Sequence, residues 1–299
     1  MLYDNVSIQE VVDSEAAMEF MKEATKLATS TELEDIGLKL EKKANLFSDL
    51  LSEDHISDLT ENEFCQLVGS IFSIKRKANR ILKANGFESL QQSITDLLYS
   101  DDNIDLRFNR FIDSVDKLDG PMRVNFASEL LHFSNPKKYW LWTNWIWDSK
   151  TGTGSLPLIV QEGVDLSGQS DGEIYGKVGQ SLALVNAVGH SIGFSDSGKG
   201  LFGTDVFLAC VYAVYMYTVF RVKLSQEFNR ILPELSELAQ RVLGVYKLDR
   251  ITGLQDLQDK LCWAKLGVKN GQDYGIAGLT SNLPLVKKIE RKEKRVNRD

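Results

Sequence analysis

The sequence has little of what interrupts helices or cross-links a chain. Only 5 of its 299 residues are proline, so most of the chain can form uninterrupted helices. The 3 cysteines, Cys65, Cys210 and Cys262, are odd in number and widely spaced. This spacing argues against a disulfide framework and favours reduced thiols.

Signals for a membrane or for secretion are also missing. The uncharged run at 206–220 has 15 residues, whereas a membrane span needs about 20. We therefore predict that this run belongs to a long buried helix at 205–232. The first ten residues lack a basic segment followed by an apolar one, which a secretory signal would have. The sequence predicts a cytoplasmic protein without a membrane partner.

Neither a metal nor a nucleotide cofactor is indicated. The histidines, His55, His132 and His190, are isolated, and no Cys/His/carboxylate spacing is typical of a metal site. The segment Gly193-Phe-Ser-Asp-Ser-Gly-Lys199-Gly200 has the spacing of a phosphate loop, but Gly200 stands where that loop needs a hydroxyl. We predict a turn or hinge there, and no cofactor.

Acidic residues are concentrated near the N-terminus. Residues 1–63 contain 16 acidic and 5 basic residues, a net charge of −11, whereas the whole chain carries −7. This charge argues against indiscriminate binding of polyanions. It does not exclude a local basic surface.

Apolar residues recur at helical spacing along most of the chain. We predict a mainly α, multi-helix fold with two helical layers or subdomains. The predicted parts are a helical domain at 1–150, a glycine-rich connecting region at 151–180 with short strands around 156–160, a second helical half at 181–286, and a basic tail at 287–299.

Local chemistry predicts several helix ends. The tetrads Thr31-Glu-Leu-Glu34 and Thr60-Glu-Asn-Glu63 are typical of capping boxes. The second tetrad should begin a helix that continues to about residue 83 and stops at Asn85-Gly86, because glycine readily takes the left-handed conformation after a helix. Asn135-Pro136 should end another helix, since proline disfavours helical geometry in the residue before it.

A basic run, Lys75-Arg-Lys-Ala-Asn-Arg80-Ile-Leu-Lys83, falls in the helix predicted after Thr60. Arg76, Arg80 and Lys83 would line one face of that helix and contact successive phosphates of a nucleic acid. The alternative is an ordinary solvated face, paired with the acidic N-terminal helices.

The segment at 117–148 resembles the helix-hairpin-helix region of DNA-glycosylase-like proteins. Leu118-Asp-Gly120 stands where that family has a glycine-containing hairpin, Ala127-Ser128 supplies small residues to the next helix, and Lys138-Tyr139-Trp140 forms the aromatic approach. The resemblance implies that backbone N–H groups near Gly120 hold a phosphate.

Two departures from the family pattern bear on chemistry. Pro121 and Met122 replace the second hairpin glycine. Trp142 or Thr143 stands where the family has its catalytic aspartate, and Asp148 comes several residues later. The resemblance therefore implies a protein that has lost base-excision chemistry at the usual position.

Four tryptophans fall within eight residues, Trp140, Trp142, Trp145 and Trp147. With Lys137, Lys138 and Lys150 beside them, the rings would suit stacking on single-stranded nucleic acid or on an extrahelical base. The alternative, which we favour, is packing between the two helical halves.

Together these patterns predict a DNA-associated binding protein of helix-hairpin-helix type that is non-catalytic or catalytically altered. Its predicted nucleic-acid contacts are Arg76, Arg80, Lys83, Gly120, Lys137, Lys138, Trp140 and Trp142. The alternative is a helical accessory or adaptor protein that acts through protein–protein contacts. That protein would use the acidic N-terminal helices and the basic tail as complementary surfaces.

Overall fold

The computed structural model describes residues 11–192, 200–223 and 233–248. These ranges contain ten α-helices and no β-strand, so the mainly α prediction is confirmed. The helices are α1 (Ser14–Leu27), α2 (Ser30–Leu50), α3 (Glu61–Gly69), α4 (Ala78–Asn85), α5 (Phe87–Tyr99), α6 (Ile104–Ser114), α7 (Gly120–Ser134), α8 (Asp171–Ile192), α9 (Gly203–Lys223) and α10 (Leu235–Val242).

The first predicted capping box is wrong by two residues. Thr29, not Thr31, caps α2: its N–H donates to the Glu32 carboxylate at 2.8 Å, and the Glu32 N–H donates to the Thr29 hydroxyl at 3.3 Å. Both threonines have a glutamate three residues later. The earlier start extends the helix by two residues and keeps the same buried face.

The second capping box, Thr60 with Glu63, is confirmed at the start of α3. The long helix predicted after it is wrong, because α3 ends at Gly69 and a new helix begins at Ala78. The carbonyl of Ser70 accepts from the buried ammonium of Lys43 at 3.0 Å. The Ser70 carbonyl therefore bonds to a side chain of α2, and the chain leaves the helix at this residue. The predicted stop at Gly86 is confirmed, and this glycine has φ +78°.

The short strands predicted around 156–160 are absent. Leu156–Leu158 is a 3₁₀ helix, and the neighbouring pairing is limited to single bridges, Val12 with Val160 and Asp148 with Thr153. In the described ranges, two short pieces bond to this segment: the Asp13 N–H donates to the Ile159 carbonyl at 2.9 Å, and the Leu156 N–H donates to the Ile146 carbonyl at 2.9 Å. One bridge is too short to form a sheet.

Buried apolar residues from both sides of the 151–180 region belong to one cluster, which runs from Val11 to Leu248. Helix α8 packs on α6, α9 packs on α1 and α10, and α2 packs on α7. The predicted central helix is α9, whose residues 203–211 are buried. No helix within the described ranges has both the length and the apolar character of a bilayer span.

Some predictions lie outside the described residues. They concern the phosphate-loop-like residues 193–199, the part of the long helix beyond residue 223, Cys262 and the basic tail. Cys65 and Cys210 are both buried free thiols. Burial raises the pKa of the Cys210 thiol to about 12, so this side chain is an inert part of the core.

Candidate nucleic-acid interface

The predicted basic stripe is divided between a turn and a helix. Arg80 and Lys83 are exposed on α4, three residues apart and on the same face. Arg76 is also exposed, but it lies in the turn at 70–77 between α3 and α4. The three side chains therefore do not form one helical stripe, although all three face solvent.

A second basic segment follows α10 and was not predicted from the sequence. The guanidinium of Arg241 lies over the ring of Tyr246, 4.3 Å from its centroid, and the ammonium of Lys247 lies 4.8 Å from it. Gly244, with φ +74°, makes the turn that brings Tyr246 back beside Arg241. The acid at this place is Glu237, which accepts from Arg241 Nε at 2.9 Å.

Lys43 joins these two segments from inside the protein. Its ammonium donates to the carbonyls of Ser70 and Leu243, each at 3.0 Å, and to the Glu129 carboxylate at 2.6 Å. Ser70 and Leu243 are the C-cap residues of α3 and α10. Two helix ends that both carry partial negative charge thus share one buried cation.

The close approach depends on Gly244. A Cβ at this position would lie 1.9 Å from the Ser70 carbonyl oxygen and 2.9 Å from Lys43 Nζ. No other residue fits between the turn after α3 and the turn after α10. The hydrogen bonds of Lys43 and the absence of a side chain at Gly244 therefore determine how close the two basic segments lie on the surface.

Sequence reasoning missed Lys43, although its position carried a signal. In α2 the buried positions include Leu33, Ile36, Leu40 and Phe47, and Lys43 falls on the same stripe. A lysine on the apolar face of an amphipathic helix needs a buried partner. The sequence did not reveal that the partners come from α3, α7 and α10.

We define the basic corner as the surface formed by Phe72, Lys75, Arg76, Arg80, Lys83, Arg241, Tyr246 and Lys247. Phe72 is 40% exposed and lies in the turn between α3 and α4. The ammonium of Lys75 lies 4.8 Å from its ring centroid. Burial lowers the pKa of Lys75, and the positive charges of Arg76 and Arg241 lower it further. In the part of the chain that the structure describes, neither Lys75 nor Arg76 takes part in an ion pair.

A buried group of ionisable side chains continues inward from Lys43. Glu129 and His132 lie one turn apart on α7, and His132 Nε2 is 3.4 Å from the Asp205 carboxylate at the start of α9. His132 Nδ1 pairs with the Tyr139 carbonyl at 2.8 Å. Burial lowers the pKa of Lys43 and raises that of Glu129. For His132 the effect of burial is outweighed by Asp205, so its pKa lies above the usual value. All four side chains are shielded from solvent, and they link α2, α7 and α9.

At Gly120 the structure leaves few free amides for a phosphate. Gly120 is the first residue of α7, and Asp119 is its N-cap. The Met122 N–H donates to the Asp119 carboxylate at 3.0 Å, and the Arg123 N–H donates to the Asp119 carbonyl at 3.1 Å. Pro121 has no N–H. An anion at this helix start would therefore meet the Asp119 carboxylate and only the Gly120 amide.

The hairpin-like segment does lie close to the basic helix. The Asn85 side chain, at the end of α4, accepts from the Asp116 N–H at 2.7 Å and donates to the Asp116 carbonyl at 3.3 Å. The end of α4 and the loop before α7 are therefore in contact.

The tryptophan segment is mainly a core junction. The ring of Trp142 is buried and stacks on Phe108 at a centroid distance of 6.0 Å, and its indole N–H donates to the Trp147 carbonyl at 2.9 Å. Trp145 is buried beside Tyr212. Trp140 and Trp147 are partly buried and pack against the same core. The Trp142 ring is thus unable to stack on an external base.

Small and polar side chains of α7 hold this segment against the helix. Ser128 accepts from the Trp142 N–H at 2.6 Å, and the Asn125 amide oxygen accepts from the Asn144 N–H at 3.1 Å. Trp142 and Trp145 are thus packed in the core, which is the alternative favoured from the sequence.

Lys137 and Lys138 are exposed in the turn directly after α7. Lys138 Nζ lies 5.1 Å from the Tyr139 ring centroid. Because α7 has 15 residues, these lysines are separated from Gly120 by about 20 Å along the helix axis. The predicted contacts therefore fall into three places: the basic corner, the start of α7 and the end of α7.

Metal-ligand geometry is not found in the described ranges, where no three His, Cys, Asp or Glu side chains are grouped as a metal ion would require. No protein-family model matches the sequence, and neither a curated protein nor a solved structure is significantly similar to it.

Proposed function

We propose that this protein is a DNA-associated binding protein that holds the nucleic-acid backbone at the basic corner. One observation carries the proposal: Lys75, Arg76 and Arg241 come together from two segments about 165 residues apart in the sequence, and within the described ranges neither Lys75 nor Arg76 has an acidic partner. Gathering like charges on a protein surface is unfavourable unless an anion binds there.

A phosphate backbone suits this surface better than a single small anion does. Arg76, Arg80 and Lys83 extend the positive charge away from Lys75 along the turn and α4. A row of phosphates can occupy such a row of cations, and each contact releases counterions into solution. Arginine also binds phosphate in a bidentate manner.

The acidic charge of the rest of the chain limits where a polyanion can bind. With a net charge of −7, the chain as a whole opposes DNA binding, so the contact is placed where cations are gathered, at the basic corner. We therefore expect modest affinity that falls steeply with salt. The proposal includes no catalytic step, because Lys43, Glu129, His132 and Asp205 are all enclosed in the core.

The test is an equilibrium binding titration with labelled oligonucleotides, in which fluorescence anisotropy reports binding at several salt concentrations. The double variant Lys75→Gln/Arg76→Gln removes two charges from the basic corner. Lys137→Gln/Lys138→Gln is the matched control, since it removes two exposed charges at the end of α7. The first variant should bind at least about tenfold more weakly, and its slope of log K against log salt should fall by about 2.

Equal affinities in the two double variants would overturn the placement at the basic corner. Failure of the unchanged protein to bind any oligonucleotide at low salt would overturn the proposal itself. Copurification with one stoichiometric protein would then favour the accessory or adaptor alternative.

A further inference from the structure

The basic corner contains two accessible aromatic rings as well as cations. Phe72 is 40% exposed beneath Lys75. Tyr246 is partly exposed and lies between Arg241 and Lys247, at 4.3 Å and 4.8 Å. An exposed aromatic ring beside cations offers a surface on which a base can stack.

The fold fixes the distance between these rings. Ser70 and Gly244 are in direct contact, because a Cβ on Gly244 would lie 1.9 Å from the Ser70 carbonyl oxygen. Phe72 follows Ser70 by two residues, and Tyr246 follows Gly244 by two residues. Since each residue adds at most about 3.6 Å, the Cα atoms of Phe72 and Tyr246 lie within about 20 Å of each other. A few nucleotides of a single strand can span that distance.

Rings and cations are neighbours on this surface: Lys75 lies over Phe72 and is close enough to Arg241 to feel its charge, and Arg241 and Lys247 lie over Tyr246. The cations can contact phosphates, and the exposed part of each ring can contact a base. A duplex keeps its bases stacked inside and presents only its backbone to such a surface, whereas a single strand presents both. Because both ring and charge contacts are provided, the arrangement favours an unpaired strand.

We propose that the basic corner selects single-stranded over duplex DNA by stacking bases on Phe72 and Tyr246. This inference depends on the proposed function, because it names the form of nucleic acid that the same surface binds. Stacking on an aromatic ring is tolerant of sequence, so no base specificity follows from it.

The experiment compares three ligands of equal length: oligothymidine, the same backbone with abasic sites in place of every base, and a duplex. The abasic strand carries the phosphates but offers nothing to stack. The unchanged protein should bind oligothymidine about tenfold more tightly than the abasic strand. The duplex should also bind more weakly than oligothymidine, with a clear dependence on salt.

Conservative variants separate ring contacts from folding. Tyr246→Phe keeps the ring and should retain the preference for oligothymidine. Tyr246→Leu and Phe72→Leu keep an apolar side chain without a ring, and each should reduce the preference several-fold while leaving duplex binding unchanged. Circular dichroism confirms that each variant is folded.

The possible outcomes distinguish the two proposals. Equal, salt-dependent binding of all three ligands, unaffected by Phe72→Leu, would overturn the single-strand inference and leave the proposed function standing. No binding of any ligand would overturn both. Binding that prefers oligothymidine but is unaffected by both leucine variants would also overturn this inference, since the stacking would then occur elsewhere.

Discussion

The ammonium of Lys43 and the carboxylate of Glu129 form a buried ion pair of 2.6 Å between α2 and α7. Two further acceptors of the same ammonium are the C-cap carbonyls of α3 and α10. The pair therefore connects four helices at one point, beneath the proposed binding surface.

Removal of one partner of this pair should destabilise the protein strongly. Lys43→Met leaves the Glu129 carboxylate and two carbonyl groups buried without their donor, and we expect a loss of about 3–5 kcal/mol in the free energy of unfolding. Urea denaturation measures it. The double variant Lys43→Met/Glu129→Met should be more stable than Lys43→Met alone, because it contains no unpaired buried charge. A Lys43→Met protein within about 1 kcal/mol of the original would show that the pair has little structural importance.

Gly244 and Gly86 offer a matched test of the close approach at the basic corner. Both have positive φ, +74° and +78°, but nothing lies within 4 Å of a Cβ on Gly86. Gly86→Ala should therefore incur backbone strain alone, about 1–3 kcal/mol. Gly244→Ala adds a clash with the Ser70 carbonyl and should be less stable by at least a further 1 kcal/mol or so. Thermal unfolding measures the stability of the two variants. Equal losses of stability would mean that the turns after α3 and α10 can move apart to admit a Cβ.

The stability should depend on pH through His132. The Asp205 carboxylate, opposed by burial, holds the folded-state pKa of His132 above its usual value. Protonated His132 therefore stabilises the fold fully below the unfolded-state pKa of about 6.5, and this contribution is lost as pH rises through the folded-state pKa. The free energy of unfolding, measured from about pH 6 upwards, should fall more steeply in the unchanged protein than in His132→Gln. The same pH dependence in both proteins would contradict a charged His132–Asp205 pair.

Trp142 should matter for stability and not for binding. Trp142→Phe removes the hydrogen bond to the Trp147 carbonyl and leaves a gap beside Phe108, so we expect a loss of about 1–3 kcal/mol. Its affinity for oligothymidine should remain within about twofold of the original, that is, within roughly 0.4 kcal/mol. Weaker binding with unchanged stability would indicate that bases stack on the tryptophan segment.

Gly120 separates the helix-hairpin-helix mode from the basic corner. A Cβ on Gly120 would have nothing within 4 Å, so Gly120→Ala should fold normally and gain slightly in helix propensity. In the hairpin mode a methyl group beside the bound phosphate would weaken binding. We expect no change in affinity for either form of DNA, as measured by anisotropy.

Much of the fold could be predicted from local patterns. The Thr60–Glu63 capping box and the stop at Gly86 depend on neighbouring residues alone, and both were predicted correctly. The break after α3 could not be predicted in this way, because it depends on Lys43, which is 27 residues away from Ser70. The same limit applies to Thr29 and Thr31, since both have the local pattern of a cap.

Only part of the candidate site could be predicted from the sequence. Arg76, Arg80 and Lys83 could be selected because they form a dense basic run. Arg241, Tyr246 and Lys247 have no such pattern and join the surface only through the packing of α10 against the turn after α3. Trp142 was included among the predicted contacts but lies in the core, because a ring that suits base stacking is equally suited to core packing.

Hydrogen exchange of the backbone amides, with and without saturating oligothymidine, tests the central claim most directly. We expect slower exchange at residues 71–77 and 241–247, and unchanged exchange at 120–123 and 137–147. Protection confined to the latter two ranges, with no change at the basic corner, would contradict it.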